Sequence, residues 1–373
     1  MTRVKIYGAG SIGNHLAHAA RRMGWDVVVC DVSAQALERM RTQIYPQRYG
    51  RWDEAIQLVQ NEQAPKGGFD LIGIGTPPEW HLPLALEALR EHPKAILIEK
   101  PLCPPSLHLA RELTDQLRGS DTRVFVGYDH VVGKAARAAE ALLRSGVIGT
   151  IKTLDVEFRE HWAGIFKAHP WLSGPQETYL GYWEAGGGAS GEHSHALNLW
   201  QHFARVAGAG RVVNVDARLT YARAGKAWYD ELCLLTLQTE DGLVGRVVQD
   251  VVTLPPRKWA RIQGAGGAIE WANHGPTEDV VRLLRPGRPE DVQVIQKTRP
   301  DDFIEELTHV QSHWSQPAGR SPIAVERGLD TMRVLAAAHR SAADARRVQV
   351  DEGPDAATEG LAASGTLRGQ QRP

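Results

Sequence analysis

The run Val4-Lys5-Ile6-Tyr7-Gly8-Ala9-Gly10-Ser11-Ile12-Gly13, answered downstream by an acid at Asp31, constrains this chain more than any other stretch. An apolar run, a glycine turn and an amphipathic run in that order predict a buried strand, a tight loop and a helix. Gly8 allows the turn, Gly10 leaves room for backbone to approach a pyrophosphate, and Gly13 lets helix and strand pack closely. A helix starting at Ser11 and Ile12 points unpaired N–H groups and its positive dipole end at a phosphate. Asp31 closes the run Val27-Val28-Val29-Cys30, where a carboxylate accepts hydrogen bonds from an adenosine ribose. The spacing therefore predicts a dinucleotide-binding βαβ unit. The plainer reading is a glycine turn that joins a core strand to a helix and holds no ligand.

With 373 residues the chain has room for two domains with cores of their own. Its net charge is −1, and no basic stripe alternates with aromatic residues, so nothing points to a nucleic-acid partner. Cys30, Cys103 and Cys233 are scattered and lack metal-ligand spacing, which fits buried thiols in a reducing compartment and no metal site. No apolar run approaches the ~20 residues that span a bilayer. The first strand begins at once, without room for a signal peptide, so the expectation is a soluble cytoplasmic protein.

Strands and helices alternate through the first third. Strands are predicted at Val4–Tyr7, Asp26–Asp31, Asp70–Gly75, Ala95–Glu99 and Arg123–Tyr128. Helices are predicted at Ser11–Met23, from a Ser33 cap to Gln43, at Glu79–Glu91 and at Ser106–Leu117. Such alternation implies a parallel sheet covered on both faces. After a helix at Lys134–Ser145 and a strand at Ile151–Arg159, a helix at Ser190–Ala204 precedes long alternating strands. These run at Arg211–Tyr221, Glu231–Thr239 and Leu243–Thr253, with Glu240-Asp241-Gly242 as a hairpin turn. Shorter strands follow at Lys258–Gln263, Ala268–Ala272, Val280–Leu284 and Gln293–Lys297, then helices at Asp302–Trp314 and Val325–Ala343. The fold expected is α/β plus α+β. A Rossmann domain spans 1–130, an α+β domain on a large, mostly antiparallel, open-faced sheet spans 131–350, and a disordered tail covers 351–373. The open face is expected to be too apolar to leave in water, and so to form a homodimer or homotetramer.

Ligands of an open parallel sheet bind beyond the carboxyl ends of its strands. Each loop there carries something unusual. Thr76-Pro77-Pro78 can hold rigid backbone against a cofactor ring, with His81 one turn into the next helix. Glu99-Lys100-Pro101 sets opposite charges at a strand end, and Tyr128-Asp129-His130 ends the last strand.

Gly8–Gly13, Thr76-Pro77 with His81, and Glu99-Lys100-Pro101-Leu102 resemble, in order and spacing, the glucose–fructose oxidoreductase / inositol dehydrogenase (Gfo/Idh/MocA) family. Gly186-Gly187-Gly188-Ala189 followed by Glu192-His193-Ser194-His195-Ala196-Leu197-Asn198 is similar to that family's glycine-run helix with its active-site histidine. Arg327-Gly328-Leu329 through Ala336-Ala337-Ala338 resembles its last helix. The resemblance covers roughly residues 3 to 350 and implies a bilobal oxidoreductase that uses NAD or NADP on a sugar, cyclitol or related polyol. It places Lys100 at the catalytic lysine and His195 at the histidine that shares in proton transfer. A free lysine pKa near ~10.4 is too high for exchange at neutral pH. Burial beside a cationic nicotinamide lowers it, and a pairing with Glu99 raises it. The family commonly places an aspartate four residues before the histidine. Here that position is Gly191, so either Glu192 substitutes or Lys100 and His195 work without a carboxylate. His193 is a rival for His195.

Thr76, Pro77, His81 and Glu99 join Gly8, Gly10, Ser11, Ile12, Gly13, Asp31 and Lys100 as expected cofactor contacts. Tyr128, Asp129, His130, Trp162 and His195 are the expected substrate contacts. For Asp129 and His130 a junction hydrogen bond is the alternative, and for Trp162 core packing is. Asp31 repels a 2′-phosphate and Val32 and Ser33 offer no arginine to receive one, which favours NAD over NADP. Besides a dehydrogenase, the residues allow a redox-neutral sugar-modifying enzyme with transient NAD oxidation, or a non-enzymatic NAD-binding sensor.

Overall fold

In the computed structural model, which describes residues 1–167 and 169–350, six parallel strands form the first sheet. They are β1 (Arg3–Tyr7), β2 (Asp26–Asp31), β3 (Ile56–Gln60), β4 (Leu71–Ile74), β5 (Ala95–Ile98) and β6 (Arg123–Val126), in the order β3-β2-β1-β4-β5-β6. The order reverses between β1 and β4, the crevice at which such sheets bind nucleotides. β1, β4, β5 and most of β2 are buried, as continuous apolar runs require. Lys5 lies within this core with no exposed surface, its charge met by Glu91 at 2.5 Å and Pro65 O at 3.1 Å.

The sequence pattern misses β3 because this edge strand is mostly half-exposed and carries glutamines at Gln57 and Gln60. α1 (Ser11–Arg22) follows the glycine turn. Ser33 caps α2 (Ala34–Arg39) by accepting from the Ala36 N–H, as read from the sequence. The chain does not stop at Gln43. It passes through a π-helical turn, Met40–Ile44, into α3 (Tyr45–Tyr49), where Pro46 is tolerated in the first turn. α4 (His81–Leu89) starts later than expected, after a 3₁₀ turn at Pro78–Trp80. α5 (Ala110–Leu117) also starts late, since Leu107 and Leu109 adopt positive φ and interrupt the helix read from Ser106. A short α6 (Asp129–Val132) follows β6.

The chain divides into two units. The first contains Met1–Leu102, Leu109–Val132 and Thr298–Gly328, and the second contains Cys103–His108, Gly133–Lys297 and the residues from Leu329 on. The segment Thr298–Gly328, read from sequence order as part of the second domain, thus belongs to the first. Its helix α11 (Arg299–His313), opened by a Thr298–Asp301 capping box, packs on α1.

The second unit is built on a nine-stranded sheet, in the order β14-β13-β12-β11-β7-β10-β9-β8-β15. Its strands are β7 (Ile151–Arg159), β8 (Val212–Ala224), β9 (Ala227–Thr239), β10 (Val244–Asp250), β11 (Arg257–Gly264), β12 (Gly267–Asn273), β13 (Glu278–Leu284), β14 (Asp291–Gln296) and β15 (Val348–Gln349). All neighbours are antiparallel except β7 and β10. Four helices accompany it: α7 (Lys134–Arg144), α8 (Trp162–Lys167), α9 (Gly188–Glu192) and α10 (Ser194–Val206). The later part of α12 (Val325–Asp344) also packs here. The pattern misses the short α8, and the single helix read over Ser190–Ala204 is two helices broken at His193.

The open face departs from its expected apolar character. One row runs across eight strands as Val292, Arg282, Glu270, Arg261, Asp155, Arg246, Thr236 and Asp216. Arg261 meets Glu270 at 2.6 Å, Arg246 meets Asp155 at 3.1 Å, and Arg257 meets Glu157 at 3.3 Å. Alternating charges on neighbouring strands make the middle of this face polar. The tail expected to be disordered over 351–373 lies outside the described residues. Among the described residues no helix is long and apolar enough to cross a membrane.

Candidate cofactor and active-site residues

The three glycines of the first turn have separate causes. Gly8 has φ +101°, and a Cβ on it would lie 2.7 Å from Gly75 O. A Cβ on Gly13 would lie 1.8 Å from Gly8 O, so only glycine lets helix and turn approach. A Cβ on Gly10 would meet nothing within 4 Å, leaving open space above the loop. The first turn of α1 has no side-chain cap, so the backbone N–H groups there remain for an anion. Asp31 Oδ2 accepts from the Ala9 N–H at 2.8 Å and Oδ1 from the Ser33 N–H at 2.8 Å. The acid therefore secures the glycine turn, and a carboxylate has lone pairs left for ribose hydroxyls. This cradle has room for a dinucleotide, and Gly8, Gly10, Ser11, Ile12, Gly13 and Asp31 are the residues that would hold one.

The sequence pattern places His81 among the cofactor contacts, but the residue has no exposed surface. Its Nδ1 lies 2.9 Å from Pro101 O and its Nε2 2.7 Å from Thr76 O. Burial pushes its pKa down to about 4, which keeps the ring neutral near pH 7. His81 thus packs between the Thr76-Pro77 turn and the Lys100-Pro101 turn, and the neutral ring, with a single N–H, donates to one of the two carbonyls. Glu99 and Lys100 are half-buried at the end of β5. A Cβ on Gly127 would lie 2.6 Å from Glu99 Oε2, so Gly127 makes room for that carboxylate, a role the sequence reading missed. A glycine between an apolar strand and Tyr128 was the available signal.

Tyr128 also has no exposed surface, so its place is in the packing. Asp129 is buried, with Oδ2 3.8 Å from Arg299 Nη1, while His130 is half-buried. Arg299 holds a second carboxylate, Asp302, at 3.0 Å. Asp129 therefore faces an arginine that no sequence pattern connects to it.

In the second unit, Gly191 stands where the resemblance expects an aspartate. A Cβ there would lie 2.0 Å from Gly186 O, so no side chain fits. A different acid reaches α9. Asp230, on β9 and without exposed surface, accepts from the Ser190 N–H at 2.7 Å and the Ser190 O–H at 3.0 Å. Among the described residues no lysine or arginine pairs with it, and burial pushes its pKa up to about 7. Ser190 Oγ also meets His339 Nε2 at 3.3 Å, and His339 Nδ1 meets Tyr221 Oη at 2.7 Å. Asp230 lies 40 residues from Ser190 in the chain, and no local sequence pattern connects the two.

His193 is buried at the α9–α10 break, whereas His195 is half-buried in the first turn of α10 and stacked against Phe158, ring centroids 6.4 Å apart. That difference favours His195 over His193 as the accessible imidazole. Glu192 is half-buried at the end of α9. Trp162 packs edge-on against Tyr229 at 5.4 Å, beside a cluster that includes Ile165, Leu180 and Val251. Among the described residues its indole N–H has no acceptor.

Two family profiles cover most of the chain. The oxidoreductase family with an NAD-binding Rossmann fold matches residues 2–128, and the GFO/IDH/MocA C-terminal domain matches residues 136–270. No curated protein sequence matches. Among solved structures, the chain is similar to an oxidoreductase from Agrobacterium radiobacter in complex with NAD+, L-tartaric acid and magnesium. They share 20% identity over 94% of this chain and 98% of that one, with a TM-score of 0.71. Levoglucosan dehydrogenase in complex with NADH and levoglucosan is 17% identical over 94% of this chain and 100% of that one, with a TM-score of 0.74. Aldose-aldose oxidoreductase from Caulobacter crescentus, complexed with glycerol, is 18% identical over 93% and 99%, with a TM-score of 0.71. The glycine cradle, the acid at Asp31 and both profile matches place this chain in the Gfo/Idh/MocA family of NAD-binding oxidoreductases.

Proposed function

We propose that this protein is an NAD-dependent dehydrogenase or reductase acting on a carbinol or carbonyl carbon of a sugar, cyclitol or sugar-derived polyol. The observation that carries the reading is the Glu99-Lys100-Pro101 turn at the carboxyl end of β5, with His81 packed between it and the Thr76-Pro77 turn. Bound NAD supplies the hydride chemistry. The chain's residues supply orientation and proton handling. Lys100 gives a proton to a carbonyl oxygen during reduction, or takes one during oxidation, and His195 shares that transfer. Glu192 is the carboxylate available on the histidine segment. The Trp162 ring suits the C–H face of a sugar, while its indole nitrogen is buried. Asp31 favours NAD, since a carboxylate repels a 2′-phosphate.

The ligands bound in the similar structures, levoglucosan and glycerol among them, support a polyhydroxylated substrate. Assembly with a second copy through the open face of the large sheet is part of the same proposal. That face still exposes Leu234, Val244, Val292 and Val294 amid its charges. The test is NAD+ with a panel of sugars, cyclitols and amino sugars, followed by reduced-nicotinamide absorbance. Accumulation of NADH with one class supports the proposal. Turnover without NADH accumulation points to redox-neutral chemistry, and no turnover across the panel and its keto forms overturns the reading.

A further inference from the structure

Ser11, His15 and His18 share one face of α1, spaced by four and three residues. α3 lies along that face. The Tyr49 ring stacks on His18 with centroids 3.6 Å apart and planes 2° from parallel, and its hydroxyl lies 2.5 Å from His15 Nδ1. The Tyr45 hydroxyl lies 3.1 Å from His18 Nδ1. This aromatic packing sets Arg48 against the first turn of α1. Its Nη2 donates to Ser11 Oγ at 2.8 Å and its Nη1 to Ser11 O at 2.9 Å.

α11 approaches the same helix. Phe303 stacks on His15 at 4.5 Å and 8°, and Arg299 stands in the first turn of α11. Burial, Arg299 and Arg48 together hold His15 well below the usual histidine range, so it is neutral and contributes no positive charge. Arg299 has Asp302 and Asp129 beside it. Arg48 is half-buried, and both its burial and the nearby Arg299 disfavour its charge. The fold nevertheless keeps that cation beside the uncapped α1 turn and the open space above Gly10.

We propose that Arg48 is a phosphate-binding residue of the dinucleotide site, meeting the cofactor's pyrophosphate together with the N–H groups at the start of α1. The inference rests on the NAD-binding reading and adds a contact outside the glycine fingerprint. A fork of guanidinium donors matches two phosphate oxygens, and an anion there relieves the repulsion between Arg48 and Arg299. Ser11 holds the fork in register before the cofactor arrives.

The experiment titrates NADH into the full chain and follows nicotinamide fluorescence at low and high salt, for wild type, Arg48→Met, Arg48→Gln and, as a control at the exposed far end of α1, Arg22→Gln. Melting without cofactor is recorded for each. Arg48→Gln keeps a donor toward Ser11 and removes the charge, so a folded variant is in hand if Arg48→Met is unstable. The expected result is an NADH dissociation constant at least about tenfold higher in the Arg48 variants, with a weaker dependence on salt. Arg22→Gln, which removes one exposed charge away from the first turn of α1, should bind NADH as wild type does. Wild-type affinity in the Arg48 variants overturns the proposal. So does weaker binding with an unchanged salt dependence, which assigns Arg48 to packing alone. Failure of the wild type to bind NADH overturns the cofactor reading itself, a result distinguishable from either.

Discussion

Asp230 takes both donors of Ser190, the backbone N–H at 2.7 Å and the hydroxyl at 3.0 Å. With its one proton spent on Asp230, Ser190 Oγ can only accept from His339 Nε2, so His339 carries its proton there and receives the Tyr221 hydroxyl at Nδ1. Burial holds His339 down to about 3, consistent with that neutral tautomer. Four strands and helices are thereby joined beneath the segment that leads to His195.

Asp230→Asn should change how stability depends on pH. The folded-state pKa of Asp230 is raised by burial, so the fold binds its proton more tightly than the unfolded chain does. Its contribution is present in full below the ordinary carboxylate pKa of ~3.9 and is lost as pH rises toward 7. Melting temperatures of wild type and variant should therefore converge or cross in the variant's favour between pH 5 and pH 8 by a few degrees. Parallel curves would show that Asp230 is charged throughout.

Gly191→Asp, which restores the residue common in the family, should not gain activity. Its Cβ would collide with the Gly186 carbonyl at 2.0 Å. Gly191→Ala should already cost about 1–3 kcal/mol in urea unfolding, because backbone must move. A stable, more active aspartate variant would show that α9 can rebuild itself.

Asp31→Ala should loosen the glycine turn and weaken discrimination against NADP. The substitution removes the acceptor of the Ala9 N–H as well as the charge. Dissociation constants for NADH and NADPH measured side by side should draw together, and an unchanged ratio would sink the assignment of cofactor choice to Asp31.

Lys100→Met should leave NADH binding within a few-fold of wild type and lower kcat by about 10²–10⁴-fold on whichever substrate the panel identifies. Equal losses in cofactor binding and turnover would instead make Lys100 a cofactor contact.

Light scattering at micromolar concentration should report a dimer or tetramer. Leu234→Glu with Val244→Glu places two acids on the exposed sheet face, one on β9 and one on the neighbouring β10. The double variant should shift the mass toward monomer, whereas a monomeric wild type rules out assembly through this face.

Much of the first unit is legible in the chain because its determinants are local. Gly8 and Gly13 are demanded by a positive φ and a close approach within a few residues, and Asp31 and Glu99-Lys100-Pro101 sit at strand ends that apolar runs announce. Even there, His81 reads as a ligand contact, because nothing in its own neighbourhood reveals that Thr76 O and Pro101 O close over it. Tertiary structure alone decided the rest. Gly191 is barred to side chains by a carbonyl five residues earlier, Asp230 reaches α9 from β9, and Arg48 reaches Ser11 only because Tyr45 and Tyr49 fold α3 onto α1. The charge row across the large sheet likewise exists only once eight strands take their register. Backbone geometry is written in the residues that adopt it, whereas the burial and partner of a charge depend on segments that chain folding brings together from a distance.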